Sequence, residues 1–104
     1  MIRKAFKMKL YPNMEAEYKE RHNPIWEELS ETLKNNGVHN YSIFFDDESN
    51  NLFGYAEIES ESQWKNIADT EVCKKWWSYM NDIMETNPDN SPVSKELTSV
   101  FYLK

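Results

Sequence analysis

The order in which two hydrophobic periodicities follow one another constrains the fold of this chain more than any other feature. Along residues 2–10, apolar side chains largely alternate with basic ones, and one face collects Ile2, Phe6, Met8 and Leu10. A period of two over this length predicts a strand with one buried face. Pro12 and Asn13 end this strand, and the pattern becomes helical over residues 14–22.

A second helix is predicted between a proline and a glycine. Pro24 cannot continue the first helix, because it lacks an N–H and clashes with the carbonyl four residues earlier. Asn23 is suited to cap the next segment, with Pro24 at its first helical position. The apolar pattern of residues 25–36 is helical, and Gly37 suits a helix C-cap.

Two strands and another helical region come next. Residues 41–45 and 52–58 are rich in aromatic and apolar side chains, and the polar residues 46–51 lie between them. This arrangement predicts an antiparallel hairpin with a loop. Beyond it, the spacing of Ser60 and Gln63 is that of a capping box, which predicts the start of a helix.

The last third of the chain completes the fold. Asp69 and Thr70 offer a new cap for a helix over residues 71–84. Residues 85–96 hold two prolines and many turn formers, so they predict a long loop, and residues 99–103 predict the last strand. The order βαββαβ indicates one α+β domain over residues 1–104. Its arrangement is ferredoxin-like, with helices on one face of a four-stranded antiparallel sheet.

The strands carry large apolar side chains on both faces, including Phe44 opposite its neighbours Ile43 and Phe45. An uncovered apolar sheet face is a liability in a monomer. We therefore expect two copies to pack sheet to sheet as a homodimer, a dimeric α/β barrel.

The amino-acid composition disfavours several classes of binding partner and several kinds of functional site. The chain has 12 basic and 18 acidic side chains and a net charge of −6, which disfavours nucleic acid and anionic membranes as partners. One cysteine excludes an internal disulfide, and with two histidines it forms no structural zinc pattern. Only two glycines are present, so no phosphate-binding glycine loop exists. We expect no metal, no cofactor and, without a signal peptide or an apolar membrane span, a cytoplasmic location.

Two pairs of side chains could form a site. Tyr18 and His22 lie four residues apart on one helix face, and histidine is a general acid or base near neutral pH. His22 could equally be an ordinary residue at a helix end. Trp76 and Trp77 point about 100° apart, so one ring can pack in the core while the other lines a groove. An aromatic plate suits stacking on a sugar, although both rings could also be core.

These residues stand within stretches that resemble the L-rhamnose mutarotase family. The resemblance spans the whole chain and is carried by RHNPIWEEL, HNYSIFF, VCKKWWSYM, NPDNSPVS and the final VFYL. It implies a homodimeric enzyme without metal or cofactor that interconverts the α and β anomers of L-rhamnose. It further implies that His22 is the proton donor and that the sugar contacts Tyr18, Tyr41, Trp76 and Trp77.

Two other functions remain possible at the level of sequence. Ferredoxin-like dimers of this size include haem-degrading monooxygenases, in which a histidine ligates iron beside a tryptophan. A dimer that binds a small ligand without catalysis would have the same pocket. The resemblance along the whole chain favours the mutarotase over both.

Overall fold

Four strands and four helices make up the computed structural model, which describes all 104 residues. The strands are β1 (Ile2–Lys9), β2 (Val38–Asp46), β3 (Asn51–Ile58) and β4 (Lys95–Leu97). The helices are α1 (Glu15–Arg21), α2 (Glu27–Asn35), α3 (Glu61–Ile67) and α4 (Glu71–Met80). None of these helices has the length and apolar character needed to cross a membrane.

The sheet is antiparallel throughout, with the strand order β2-β3-β1-β4. This order and the connections between the strands confirm the predicted ferredoxin-like α+β fold. Strand β3 pairs with β1 along its whole length, from Ile2 opposite Ile58 to Lys9 opposite Asn51. Because side chains alternate along each strand, this register places the apolar residues of β1 and β3 together beneath the helices.

A glycine allows the inner face of the sheet to close around an aromatic ring. Gly54 lies directly opposite Phe6 in the sheet. A Cβ atom at residue 54 would lie 2.4 Å from the Phe6 ring, closer than carbon atoms can approach. Phe6 therefore lies over the glycine backbone, and its ring meets Tyr41 edge to face at a centroid distance of 6.0 Å.

The predicted last strand is wrong. Residues 99–103 form no strand, and the fourth strand is β4, which pairs with β1 between Ala5 and Lys7. An ion cluster explains the position of β4: the buried Lys4 ammonium lies 3.0 Å from the Glu61 carboxylate and also contacts Glu96 of β4.

The start of α2 also differs from its prediction. Asn23 does not cap α2, because its side-chain amide donates to the Lys19 carbonyl at 2.7 Å and so completes the end of α1. The N-cap of α2 is Trp26, which makes no side-chain capping bond. The predicted caps Ser60 and Thr70 are confirmed, since their hydroxyls accept from the backbone N–H groups of Gln63 and Cys73.

Helix α4 ends four residues earlier than predicted. The Tyr79 carbonyl accepts a hydrogen bond from the Arg21 guanidinium at 2.7 Å, and it does not accept one from the Ile83 N–H as it would in a longer helix. The Ile83 N–H bonds the Met80 carbonyl instead, at 3.2 Å, which closes a tighter final turn. Residues beyond Met80 then leave the helix, and Met84 pairs with Leu10 in an antiparallel bridge next to the end of β1.

Candidate active site

A cleft of about 1140 Å³ opens between the helices and the inner face of the sheet. A smaller cavity of about 90 Å³ adjoins it. The smaller cavity alone holds only a few waters, each needing roughly 30 Å³, so a hexose would extend into the cleft. Five predicted site residues line both spaces: Tyr18, His22, Tyr41, Trp76 and Trp77.

Tyr18 and His22 share one face of the first helix, as their spacing predicts. Their rings stack with centroids 4.3 Å apart and an interplanar angle of 30°. The His22 and Trp76 rings also form a T-shaped pair, with centroids 5.1 Å apart and an interplanar angle of 89°. His22 is the residue at which α1 ends, so the helix, Tyr18 and Trp76 together fix the orientation of its imidazole.

Hydrogen bonding determines which nitrogen of His22 is available. Nδ1 lies 2.8 Å from the Tyr18 carbonyl oxygen. A carbonyl only accepts hydrogen bonds, so Nδ1 carries the proton and donates it. Nε2 makes no hydrogen bond within the protein. Every buried polar side-chain atom of the protein does have a hydrogen-bond partner, so Nε2 is not buried and is accessible from the cavity. Burial lowers the pKa of His22 below its ordinary value of 6.5, against the opposing effect of the Tyr18 carbonyl. Near neutral pH, Nε2 therefore presents a lone pair.

The two tyrosines supply neutral phenols. Burial raises the pKa of both Tyr18 and Tyr41 well above the usual range for a phenol. Each hydroxyl therefore keeps its proton and can both donate and accept a hydrogen bond. Burial likewise raises the pKa of the Cys73 thiol to about 11, so it is a neutral thiol and not a nucleophilic thiolate.

The two adjacent tryptophans have different surroundings. Trp76 is buried in the core, and its ring meets that of Trp26 edge to face at 5.0 Å. Trp77 is half-buried and packs against two clusters of buried apolar side chains, one that includes Leu10 and one that includes Ile58. Both rings line the cavity, but Trp77 keeps more of its surface free for a ligand.

An ion network holds α1 against the end of α4. The Arg21 guanidinium donates to Glu17 at 2.8 Å, to both Asp82 carboxylate oxygens at 2.9 and 3.2 Å, and to the Tyr79 carbonyl at 2.7 Å. The hydrogen bond from Arg21 holds the pKa of Asp82 below its usual range. Because Arg21 directly precedes His22, this network fixes His22 relative to Trp76.

Sequence reasoning missed the residues that the loop after α4 brings to the site. Thr86, Asn90 and Pro92 line the smaller cavity together with Met84. A bridge between Thr86 and Pro92 closes the loop on itself. The prolines and turn formers predicted a loop over residues 85–96, which is correct up to residue 94, because β4 begins at Lys95. No periodicity indicates where a loop lies relative to a helix. Elsewhere in the chain, no three His, Cys, Asp or Glu side chains form a group that could hold a metal ion.

Known proteins are similar to this chain in both sequence and fold. A model of the L-rhamnose mutarotase family matches residues 3–103. A protein of Tolumonas auensis named L-rhamnose mutarotase is 64% identical over 103 residues, which cover 99% of each chain. This chain belongs to the L-rhamnose mutarotase family. An L-rhamnose mutarotase of Clostridium beijerinckii is 59% identical over the full length of both proteins.

Solved structures agree with this family. The crystal structure of an L-rhamnose mutarotase from Formosa agariphila superposes with a TM-score of 0.92, covers both chains completely and is 49% identical in sequence. An antibiotic biosynthesis monooxygenase superposes with a TM-score of 0.63 at 13% identity, covering 96% of this chain and 99% of the other. The second likeness shows only that the L-rhamnose mutarotase family and such monooxygenases share a fold.

Proposed function

We propose that this protein is an isomerase that interconverts the α and β anomers of L-rhamnose by opening and closing the sugar ring. Its membership of the L-rhamnose mutarotase family, at 64% identity over nearly the whole chain, carries the proposal. The geometry supports it with an accessible imidazole nitrogen, two neutral phenols and two indole rings around one cavity.

His22 is the group that moves the proton. In its neutral form, Nε2 accepts the proton of the anomeric hydroxyl, O1. The bond between C1 and the ring oxygen, O5, then breaks, which leaves an aldehyde at C1 and negative charge on O5. The imidazolium donates its proton to O5, so His22 becomes the proton donor that the family resemblance implies. Rotation about the C1–C2 bond and the reverse steps close the ring on the other face, with no net change in protons.

A single nitrogen is sufficient for both transfers, because O1 and O5 are bonded to the same carbon. Nδ1 keeps its proton throughout and donates it to the Tyr18 carbonyl, which keeps the ring in one orientation. The phenols of Tyr18 and Tyr41 remain protonated, so they are donors for the charge that develops on the sugar oxygens. Trp77 and Trp76 offer apolar surface to the C–H groups of the sugar and to its methyl group.

The pH dependence of the reaction follows from this order of events. Since burial lowers the pKa of His22, the neutral base predominates at pH 7 and above. We expect the rate of anomer exchange to be level there and to fall as the pH decreases through a pKa below 6.5. Exchange rates of L-rhamnose measured between pH 5 and 9 check this. A rate that falls as the pH rises through that range would mean that the protonated ring acts first.

Ligand binding distinguishes the mutarotase from its two alternatives. A ligand that binds only the folded state at 100 times its Kd stabilises that state by about 2.7 kcal/mol. We expect L-rhamnose to raise the Tm accordingly and haemin to form no stoichiometric complex. A tight haemin complex that is lost in His22→Ala, with no response to L-rhamnose, would favour the monooxygenase. A raised Tm without anomer exchange would indicate a binding protein.

A homodimer and a cytoplasmic location complete the proposal. The outer face of the sheet exposes Phe44, and the tail beyond β4 exposes its apolar side chains, with Val100, Phe101 and Leu103 at 94%, 76% and 80%. The Arg3 guanidinium lies 3.9 Å from the centre of the Tyr102 ring, so part of this tail runs beside β1. A second copy would remove this apolar surface from water.

Light scattering is expected to give twice the monomer mass of 12.5 kDa at micromolar concentration. Removal of residues 99–104 should lower the apparent mass, because the tail contributes much of the exposed apolar surface. A parent protein that scatters as a 12.5 kDa species would contradict the dimer.

A further inference from the structure

Asn90 lies on the wall of the smaller cavity that the loop after α4 provides, and the mechanism above does not use it. Its side-chain oxygen accepts a hydrogen bond from the amide of Asn81 at 2.9 Å. Asn81 is the C-cap of α4, immediately beyond the helix that carries both cavity tryptophans. This bond determines how the Asn90 amide is turned: its oxygen faces Asn81, and its NH₂ group has no partner in the protein.

The backbone keeps this amide in place. Asn90 adopts a left-handed conformation with φ of 72°, which asparagine tolerates better than most residues. Its N–H bonds the Asn87 carbonyl at 2.9 Å, and the Asn87 N–H bonds the Ser91 carbonyl at 2.7 Å. Backbone hydrogen bonds within the loop thus hold the residues on both sides of Asn90. The Asn90 side-chain amide therefore has its position before a ligand binds.

We propose that Asn90 is a further sugar-binding residue, which donates its amide N–H to a ring hydroxyl of the sugar while Asn81 fixes its orientation. The proposal rests on the proposed function and deepens it. The other residues around the cavity carry the lone pair of His22 Nε2, phenols that both donate and accept, and the indole N–H groups of Trp76 and Trp77. Asn90 adds a donor whose position on the loop wall is fixed by Asn81, so it selects a sugar with a hydroxyl oxygen at one particular carbon. Asn81 is a positioning residue.

Two variants test the donor in different ways. Asn90→Asp keeps the shape and the acceptor for Asn81 but replaces the NH₂ with an oxygen. Asn81→Asp leaves Asn90 intact but offers it an acceptor, which turns the Asn90 amide around and directs its oxygen into the cavity. A lost neutral hydrogen bond corresponds to roughly a 3- to 10-fold loss of affinity. We expect each variant to raise the Kd and the KM for L-rhamnose at least by that factor, with little change in kcat.

The chain contains a matched control. Asn66 donates to the Asn36 side-chain oxygen at 3.1 Å, an equivalent amide pair on the surface. Neither residue lines the cleft or the cavity, so Asn36→Asp should leave the Kd unchanged. Calorimetric titration of the parent and the three variants, with their Tm values recorded, gives the comparison.

Deoxy sugars identify the contact. L-Rhamnose analogues that each lack one ring hydroxyl are titrated into the parent and into Asn90→Asp. For the analogue that lacks the contacted hydroxyl, the variant should bind as the parent does, whereas the other analogues keep the full penalty. An equal penalty for every analogue, or a Kd unchanged in both variants, would overturn the role of Asn90. Failure of the parent itself to bind L-rhamnose would instead overturn the proposed function.

Discussion

Replacing His22 with alanine should slow the exchange of L-rhamnose anomers by about two to four orders of magnitude, the usual contribution of a general acid or base. The reason is geometric: Nε2 is the accessible nitrogen of an imidazole whose Nδ1 is held by the Tyr18 carbonyl at 2.8 Å. The half-buried ring lies at the end of α1, so its loss should leave the fold intact. Anomer exchange followed by NMR at equal protein concentration measures the effect.

The second histidine of the chain is the control. His39 is exposed and pairs with the Glu59 carboxylate at 2.8 Å. We expect His39→Ala to retain the parent rate. If His22→Ala also retained it, while remaining folded, the proton would have to move through another group.

Replacing Trp76 with alanine should destabilise the folded state by roughly 3–5 kcal/mol, as expected for truncating a buried tryptophan. Trp76 is only 9% exposed and contacts Trp26 as well as His22. A loss of this size is a large fraction of the stability of a small domain. Urea denaturation, with the slope compared between the variants, gives the free energy of unfolding.

Replacing the adjacent Trp77 should have a different effect on stability and on sugar affinity. Trp77 is half-buried and lines the same cavity, so Trp77→Ala should lose less stability and more sugar affinity than Trp76→Ala. If the two variants lost equal stability and equal affinity, the assignment of one ring mainly to the core would be wrong.

The fold follows from the sequence where local patterns and tertiary pairing agree. The alternation along β1, the caps Ser60 and Thr70, and the terminating Gly37 each determine an element through its own neighbours. Gly37 has φ of 77°, the left-handed conformation that a helix end of this type requires. These elements can therefore be predicted from nearby residues alone.

The predictions are wrong where a contact with a residue distant in the sequence determines where a strand or helix lies. Residues 99–103 have the composition of a strand, yet β4 pairs four residues earlier, where Glu96 reaches Lys4. Helix α4 has a continuing helical pattern, but it ends at Met80, where Arg21 binds the Tyr79 carbonyl and the chain turns so that Met84 pairs with Leu10. Neither ion contact leaves a periodic signal in the sequence.

Five of the residues that line the candidate site could be predicted from the sequence, but their geometry could not. The spacing of Tyr18 and His22 places them on one helix face, the adjacent Trp76 and Trp77 suggest a ring that lines a groove, and the family resemblance adds Tyr41. The protonation state of His22 depends on the hydrogen bond from Nδ1 to a backbone carbonyl and on the burial of the ring. Only the folded structure provides both. Asn90 was missed because its place depends on the path of a loop.

Saturation-transfer NMR of L-rhamnose tests the central claim most directly. The anomeric proton signal of one anomer is saturated, and the signal of the other is recorded with and without the protein at pH 7. Ring opening and closure transfers saturation between the two signals, so we predict a transfer rate that increases in proportion to the protein concentration. A folded, sugar-binding protein that leaves this rate at the value in buffer would contradict the assignment as a mutarotase.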